Sequence, residues 1–185
     1  MTLMIFEINK RSCCIFHTFE KKTPMKKSFS LFILYLITYG LLGCETTAYT
    51  EKGNNLGVEV EHQLFELVND YRTSQGLSKL SPSDVIRDVA RDHSRSMAQR
   101  EIPVGHSDSE NRSAKIRTQI DFRKFAENVA WKRTDTDPSQ KIFDSWKENT
   151  YNKRSLIGDF DLSGIGVVIS EDGDYFATQI FIKKF

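Results

Sequence analysis

The chain of 185 residues carries 26 lysines and arginines against 25 aspartates and glutamates, which suits one ordinary globular domain and an additional segment. Six of these cations and two of the anions lie in residues 1–43, so the remainder has 20 cations and 23 anions, a net charge of −3. A slightly acidic domain has no positive field that would gather phosphate backbones, and we therefore expect no nucleic-acid partner.

An export signal is the first element that the sequence predicts. Two lysines precede an uncharged, mostly apolar run at residues 29–42, which is too short to span a bilayer because a spanning helix needs about 20 apolar residues. The run ends in Leu-Leu-Gly-Cys at residues 41–44 and resembles the lipobox of bacterial lipoproteins, in which the cysteine thiol is lipidated and the chain is cleaved before it. The alternatives are an uncleaved anchor helix and an ordinary secretory signal with an incidental cysteine.

The lipobox divides the chain into a removed signal segment, a lipidated tether and a domain, at residues 1–43, 44–55 and 56–185. We interpret residues 1–24 as an extension ahead of the true start at Met25, which leaves 25–43 as the lipoprotein signal peptide. The polar tether is predicted to be flexible. We expect Cys44 to anchor the protein to a membrane, facing the periplasm or the cell surface. The domain contains no other cysteine, so its fold has to depend on an apolar core.

Two amphipathic helices are predicted in the first half of the domain. Apolar residues recur at helical spacing over residues 60–71, and this stripe ends near Gly76. The second helix is expected to begin in Ser-Pro-Ser-Asp at residues 81–84, which offers an N-cap, a proline at the first helical position and a carboxylate at the third. Its apolar face continues to an end near Glu101.

The second half of the domain is predicted to end in a β-hairpin. A loop is predicted at residues 102–111, followed by a weak helix at 116–120, a short strand at 125–132 and a helix at 137–146. The two strands of the hairpin are predicted at 165–169 and 175–182. Asp172-Gly173 is a typical sequence for a type I′ turn between the last two strands. Helices first and a hairpin last predict a layered α+β domain.

Seven motifs follow one another through this domain. They are, in chain order, Asn69-x-x-Arg72 with Gly76-Leu77, Ala90-x-x-His93-Ser94-x-x-Met97, Gly105-His106-Ser107, Ala126-Glu127-Asn128-Val129-Ala130, Trp146, Gly164-Ile165-Gly166-Val167 and Tyr175-Phe176-Ala177-Thr178-Gln179-Ile180-Phe181. Together they resemble the CAP superfamily of cysteine-rich secretory proteins, antigen 5 and pathogenesis-related proteins, in its bacterial branch. The resemblance covers nearly all of the domain.

The resemblance implies a three-layer α-β-α sandwich with a small antiparallel sheet and an open cleft on one side. In the family, the cleft carries two histidines and two glutamates that can hold a divalent metal. Family members are typically secreted or displayed on a surface, and their described roles include sterol or lipid binding and partner interaction. No general catalytic activity is established for the fold.

Two residues match the cleft positions of the family. His106 matches the first histidine and Glu127 the first glutamate, and an imidazole and a carboxylate that converge could hold zinc or form an acid/base pair. The alternative is a structural hydrogen bond that ties the loop to the strand. Asn152 stands where bacterial relatives have the second histidine, and Glu148 is one residue short of the second glutamate. We therefore expect no cofactor beyond weak divalent-metal binding at an incomplete site of His106 and Glu127.

Other conspicuous side chains are given structural roles. Core packing is predicted for one histidine and three aromatic residues, namely His93, Trp131, Trp146 and Tyr151, although the aromatic residues could also line the cleft. His62 lies off the apolar stripe of the first helix and is predicted to be solvated. Asn128 is expected to bind backbone groups rather than a ligand.

These observations favour a lipid-anchored binding module for a lipid, a glycan or another envelope protein. The sequence contains no Gly-x-Ser-x-Gly elbow, no His-Glu-x-x-His motif and no phosphate-binding glycine loop. The alternative function is a hydrolase-like enzyme that uses His106 and Glu127 with a bound water. A third alternative is a purely structural envelope spacer.

The lipoprotein hypothesis predicts that Cys44→Ser releases the protein from the membrane fraction or stalls its processing, because the thiol is the acceptor of the lipid. Membrane fractionation and intact mass measure both effects. A Cys44→Ser protein that still fractionates with membranes at the normal mature mass would contradict the hypothesis.

Overall fold

The computed structural model describes residues 45–134 and 136–185, so the predicted signal segment and Cys44 lie outside the described residues. The helices are α1 (Glu45–Ser74), α2 (Asp84–Ala98), α3 (Ser109–Arg117), α4 (Pro138–Glu148) and α5 (Thr150–Leu156). The strands are β1 (Ser81–Pro82), β2 (Lys124–Lys132), β3 (Leu162–Ile169) and β4 (Tyr175–Lys183).

One sheet with the strand order β1-β3-β4-β2 forms the middle layer. β4 pairs antiparallel with both β3 and β2, while the two residues of β1 pair parallel with the start of β3. The sheet is therefore mixed, where a purely antiparallel one was predicted. The hydrophobic core falls into two clusters, one between the sheet and α1, α4 and α5, the other between the sheet and α2 and α3. The predicted three-layer α-β-α sandwich is confirmed.

Strand β4 shows how the sequence builds two cores at once. Successive side chains of a strand point to opposite faces, and here Phe181 belongs to the first cluster while Ile180 and Ile182 belong to the second. All three are completely buried. A central strand covered on both faces explains the continuous run of apolar residues in this part of the sequence.

Helix α2 lies with its backbone directly against β3 at two glycines. A Cβ atom at Gly164 would come within 2.2 Å of the backbone nitrogen of Arg87, and one at Gly166 within 2.1 Å of that of Arg91. Two residues of a strand advance by about 6.6 Å and four residues of a helix by about 6 Å, so the two repeats match and the helix follows the strand. Only glycine leaves room for this contact.

Buried polar side chains of α1 hold the neighbouring loops. Asn69 accepts a hydrogen bond from the backbone N–H of Leu80 at 2.8 Å and donates one to its carbonyl at 3.2 Å. The guanidinium of Arg72 is buried and donates to four backbone carbonyls, those of Ser78, Leu156, Gly158 and Phe160. The Asn69-x-x-Arg72 motif thus has a structural role, because it satisfies backbone groups that the loops leave unpaired.

Helix α1 differs from the prediction at its beginning. The polar stretch 45–55 was predicted to be a flexible tether, but it is the helical beginning of α1. Extending a helix that is already packed costs no new nucleation, so residues without an apolar stripe can continue it. No helix within the described part of the chain is both long enough and apolar enough to cross a membrane.

The N-cap of α2 lies two residues later in the chain than predicted. Ser83, not Ser81, is the N-cap, and its side chain accepts a hydrogen bond from the N–H of Ile86. Ser81 and Pro82 instead form β1, and the N–H of Ser81 donates to the carbonyl of Asp161. The helix ends at Ala98 rather than near Glu101. Pairing with β3 thus outweighs the preference of proline for the first turn of a helix.

The hairpin between β3 and β4 is confirmed, but its turn type was predicted wrongly. The N–H of Gly173 donates to the carbonyl of Ser170, and Gly173 has a φ of +80° while Asp172 has a negative φ. A type I′ turn needs two residues with positive φ, whereas a type I turn followed by a left-handed glycine needs only one. Helix α5 was not predicted at all, and it begins where Asn149 caps the backbone of Tyr151 and Asn152.

The contact between α2 and β3 predicts a large effect of Gly166→Ala. The added methyl group has no room beside Arg91, so unfolding free energy is expected to fall by about 3 kcal/mol or more, the upper range of overpacking. Gly173→Ala is the control, because its Cβ would meet no atom within 4 Å and only its positive φ costs about 1 kcal/mol. Equal urea midpoints for the two variants would contradict the packing argument.

Candidate functional site

Glu127 lies in the middle of β2, on the face of the sheet that α2 and α3 cover. Its neighbours two residues away on the strand, Phe125 and Val129, share that face, while Ala126 and Ala130 pack into the core on the opposite side. The carboxylate is 3% exposed. A charged group so deeply buried needs partners, and the structure supplies two.

His106 and Arg112 both bind the carboxylate of Glu127. Arg112, on the first turns of α3, donates from Nε to Oε2 at 2.6 Å and from Nη2 to Oε1 at 2.8 Å, a bidentate ion pair. His106, in the loop before α3, lies with Nδ1 2.9 Å from Oε1. Arg112 also donates to the carbonyl of Ser107 at 2.6 Å, which fixes the loop that carries the histidine. We call these three side chains the Glu127 cluster.

The electrostatics of the cluster keep Glu127 ionised. Burial opposes ionisation, but the hydrogen bonds from His106 and Arg112 outweigh it, so the pKa of the Glu127 carboxyl is lowered from 4.5. The imidazole of His106 is 55% exposed. With Nδ1 directed to the carboxylate, the second ring nitrogen is left for solvent or a ligand.

The cluster does not fit the divalent metal that the resemblance implied. Both oxygens of Glu127 already accept hydrogen bonds from a guanidinium, and a metal at the same oxygens would compete with that fixed cation. Among residues 45–134 and 136–185, no group of three or more histidine, cysteine, aspartate or glutamate side chains is close enough to hold one ion. Structural zinc needs about four ligands, and open sites need three with a water.

The remaining two predicted cleft residues do not join the cluster. Glu148, the last residue of α4, is exposed, and neither its side chain nor that of Asn152 is hydrogen-bonded to His106 or Glu127. The backbone carbonyl of Asn152 accepts a hydrogen bond from the side chain of Asn128 at 3.1 Å. Asn128 thus binds a backbone group as predicted, and it does so from the strand face opposite to Glu127.

His93 is buried behind the cluster, in the layer between α2 and the sheet. Its Nδ1 lies 2.9 Å from the hydroxyl of Thr178 on β4, and Ser94 lies 2.9 Å from the same hydroxyl and donates to the carbonyl of Gly166. Its Nε2 has no hydrogen-bond partner within the described part of the chain. Burial, with a further contribution from the cation of Arg112, lowers the pKa of His93 from 6.5 to about 4. The core position was predicted correctly, but only one ring nitrogen is paired.

The aromatic residues separate into one core residue and two surface residues. Trp146 is completely buried between α4 and the sheet, as predicted. Trp131 is 47% exposed and Tyr151 is 77% exposed, so core packing was the wrong prediction for both. Trp131 is the penultimate residue of β2, which is an edge strand of the sheet. His62 is exposed, as predicted, and lies 3.8 Å from Glu66.

Arg112 is the member of the cluster that the sequence analysis missed. It lies in a helix with hardly any apolar period, between charged and small polar residues. The only local signal is an arginine six residues after a histidine in a loop, a pattern that arginine on any solvated helix would also produce. Its role depends on α3 folding back over β2, which no spacing in the sequence specifies.

Comparisons with known proteins agree with this architecture. The sequence model of the CAP family, described as the cysteine-rich secretory protein family, matches residues 65–181. A comparison with curated protein sequences finds no match. The chain resembles an outer surface protein of Borrelia burgdorferi, with 17% identity and a TM-score of 0.60, over 69% of this chain and 94% of that one.

Two further solved structures share the fold. An extracellular protein of Bacillus anthracis that contains an SCP domain is 24% identical with a TM-score of 0.61, over 72% of this chain and 43% of that one. A cysteine-rich secretory protein of Staphylococcus aureus is 20% identical with a TM-score of 0.55, over 69% of this chain and 40% of that one. The chain thus spans less than half the length of these two proteins.

The buried histidine predicts a loss of stability in mild acid. In the unfolded chain His93 takes up a proton near pH 6.5, but in the fold only near pH 4, so stability is lost as the pH falls between these values, by on the order of 3 kcal/mol. Protonation of Glu127 adds a further loss below about pH 4.5, since its folded pKa is lowered.

Urea midpoints at about pH 7 and about pH 5 measure the first of these losses. His93→Gln removes the titrating group and is expected to flatten the pH dependence in this window, whereas His62→Gln, at an exposed position, leaves it unchanged. The same pH dependence in His93→Gln as in the natural protein would show that His93 is not responsible.

Proposed function

The chain belongs to the cysteine-rich secretory protein (CAP) family, and we propose that it acts outside the cytoplasm as a metal-independent binding module that lipidated Cys44 anchors to a membrane. Its ligand is a lipid, a glycan or another envelope protein, bound in the cleft beside His106 and Glu127. The outer surface protein of Borrelia burgdorferi and the extracellular protein of Bacillus anthracis support a location outside the cytoplasm. The lipobox at residues 41–44 supports the anchor.

The bidentate pairing of Glu127 with Arg112 carries the proposal. A general base works best with a pKa near the operating pH, and the pKa of Glu127 is lowered instead. A metal ion at this carboxylate would lie beside the guanidinium of Arg112, which already pairs with both oxygens, and the two cations would repel each other. The carboxylate therefore serves to hold the loop and to orient His106, whose exposed ring remains available for a hydrogen bond with a ligand.

The orientation of His106 also supports the enzyme alternative. A carboxylate that binds Nδ1 leaves Nε2 as the basic nitrogen, which is how a histidine is prepared to take a proton from water in hydrolysis. In this alternative His106 is the general base and Glu127 its orienting partner. No serine, threonine or cysteine within the described residues is hydrogen-bonded to His106, and a water is therefore the nucleophile in this alternative.

His106→Ala separates the two functions. A hydrolase would lose turnover in a screen of ester, peptide and glycoside substrates, because no other described base contacts Glu127. A binding module shows no turnover before or after the change, but it retains a ligand when purified from its own host, which native mass spectrometry detects. A spacer would show neither activity nor a retained ligand.

The pairing of Glu127 with Arg112 further predicts that the protein does not hold zinc tightly. Only His106 and Glu127 match the ligand positions, and the latter is already paired with a cation. Asn152 would contribute an amide oxygen, which suits calcium better than zinc. Calorimetric titration of the detergent-solubilised protein is expected to show weak binding that a chelator reverses. Submicromolar zinc affinity that disappears in His106→Ala would refute metal independence and strengthen the enzyme alternative.

A further inference from the structure

A concave surface lies at the end of β2, away from the Glu127 cluster. It is lined by the end of α2 and the loop after it (97–104), by Trp131 and Arg133 at the end of β2, and by the β3–β4 hairpin (170–176). We call it the Trp131 groove. Its volume of about 620 Å³ lies in the range of sites for small molecules. None of the three side chains of the Glu127 cluster lines it.

Trp131 is held in the groove by a buried carboxylate. Its indole N–H donates to Oδ2 of Asp174 at 3.2 Å, and Arg133 donates to both oxygens of the same carboxylate at 2.6 and 2.8 Å. Asp174 is buried, while nearly half of Trp131 is exposed. An aromatic ring whose N–H is tied down offers apolar surface to a ligand and loses little freedom when the ligand binds.

Arg100 lines the opposite side of the groove in a strained backbone conformation. Arg100 follows the end of α2 and has a φ of +59°. The N–H of Arg100 donates to the carbonyl of Met97, and the N–H of Glu101 donates to the carbonyl of Ser96. This is a Schellman motif, and glycine is the usual residue at the left-handed position. The guanidinium is exposed and paired with Asp172 at 2.5 Å. An arginine where glycine would be more stable indicates a use for its side chain.

The polar groups around the groove indicate the chemistry of its ligand. Carboxylates and guanidiniums alternate along the rim, as Asp172 with Arg100 and Asp174 with Arg133, so hydroxyl groups of a ligand can donate to one and accept from the other. An inorganic anion would meet a carboxylate beside each arginine. An acyl chain needs an enclosed apolar cavity, and this groove is open with charges at its rim.

A sugar ring meets both requirements, because its C–H face is apolar and its edge is a row of hydroxyl groups. We propose that the Trp131 groove binds short oligosaccharides, with one pyranose ring stacked on Trp131 and its hydroxyl groups bonded to the side chains of Arg100, Arg133 and Asp172. The exposed side chain of Val104 beside them provides an apolar contact for an N-acetyl methyl group. This inference goes beyond the proposed function, since it names a second site and the class of its ligand.

The detergent-solubilised protein is titrated with chitotetraose and cellotetraose, and the two indole N–H signals are followed by NMR. The chain has only two tryptophans, so the signal of Trp131 is expected to shift to saturation while that of buried Trp146 stays in place as an internal control. Trp131→Ala is expected to weaken binding by about tenfold or more, and Trp131→Phe, which keeps an aromatic face, by less. His62→Ala, at an exposed position outside the groove, leaves the affinity unchanged.

Arg100→Gly is the sharpest variant, because strain and binding predict opposite effects. Removal of the left-handed arginine is expected to raise the melting temperature by about 2–4 °C and to weaken oligosaccharide binding several-fold. Absence of binding to both oligosaccharides, or binding that Trp131→Ala leaves unchanged, would overturn the proposal. Binding lost in His106→Ala but kept in Trp131→Ala would overturn it too, while leaving the proposed function of the Glu127 cleft intact.

Discussion

The direct contact between the backbone of α2 and that of β3 is the constraint on which the rest of the structure depends. Gly164 and Gly166 leave the space, and the matched rise of two strand residues and one helical turn keeps the helix along the strand. The contact brings Ser94 to the carbonyl of Gly166 and His93 to Thr178 on the next strand. The loop after α2 lies beside the hairpin, where Arg100 pairs with Asp172.

The Glu127 cluster contains its own cation. A carboxylate as buried as that of Glu127 would be strongly destabilising without a partner, and Arg112 supplies one that is part of the chain and always charged. The pair therefore does not depend on the supply of a metal. Because Arg112 also holds the carbonyl of Ser107, loss of the guanidinium would free the loop as well as leave a buried charge. The Glu127 cluster thus holds one exposed imidazole in a fixed position.

The hydrophobic pattern predicted the elements of the fold because each helix and strand buries one face. The stripe at residues 60–71, the apolar run at 165–169 and the returning strand at 175–182 all lie in helices or strands of the predicted kind. The order of helices and strands along the chain then predicted a layered α+β domain. What the pattern missed depends on single contacts: β1 exists because Ser81 pairs with β3, and α5 because Asn149 caps it. A two-residue strand and a seven-residue helix are too short to show a period.

The candidate sites, like the fold, were predicted from the sequence only in part. The order of motifs along the chain indicated the family and predicted that His106 and Glu127 lie together, and the two side chains are indeed in contact. Residue types and their spacing are properties of the sequence alone, so no tertiary structure was needed for this prediction. Only the tertiary structure decided that Arg112 occupies the carboxylate, that Trp131 is exposed while Trp146 is buried, and that Arg100 faces Asp172 across 72 positions. Each of these depends on which side chains meet after the layers have packed, and a charge or an aromatic ring has the same local pattern whether its partner is solvent, core or another residue far along the chain.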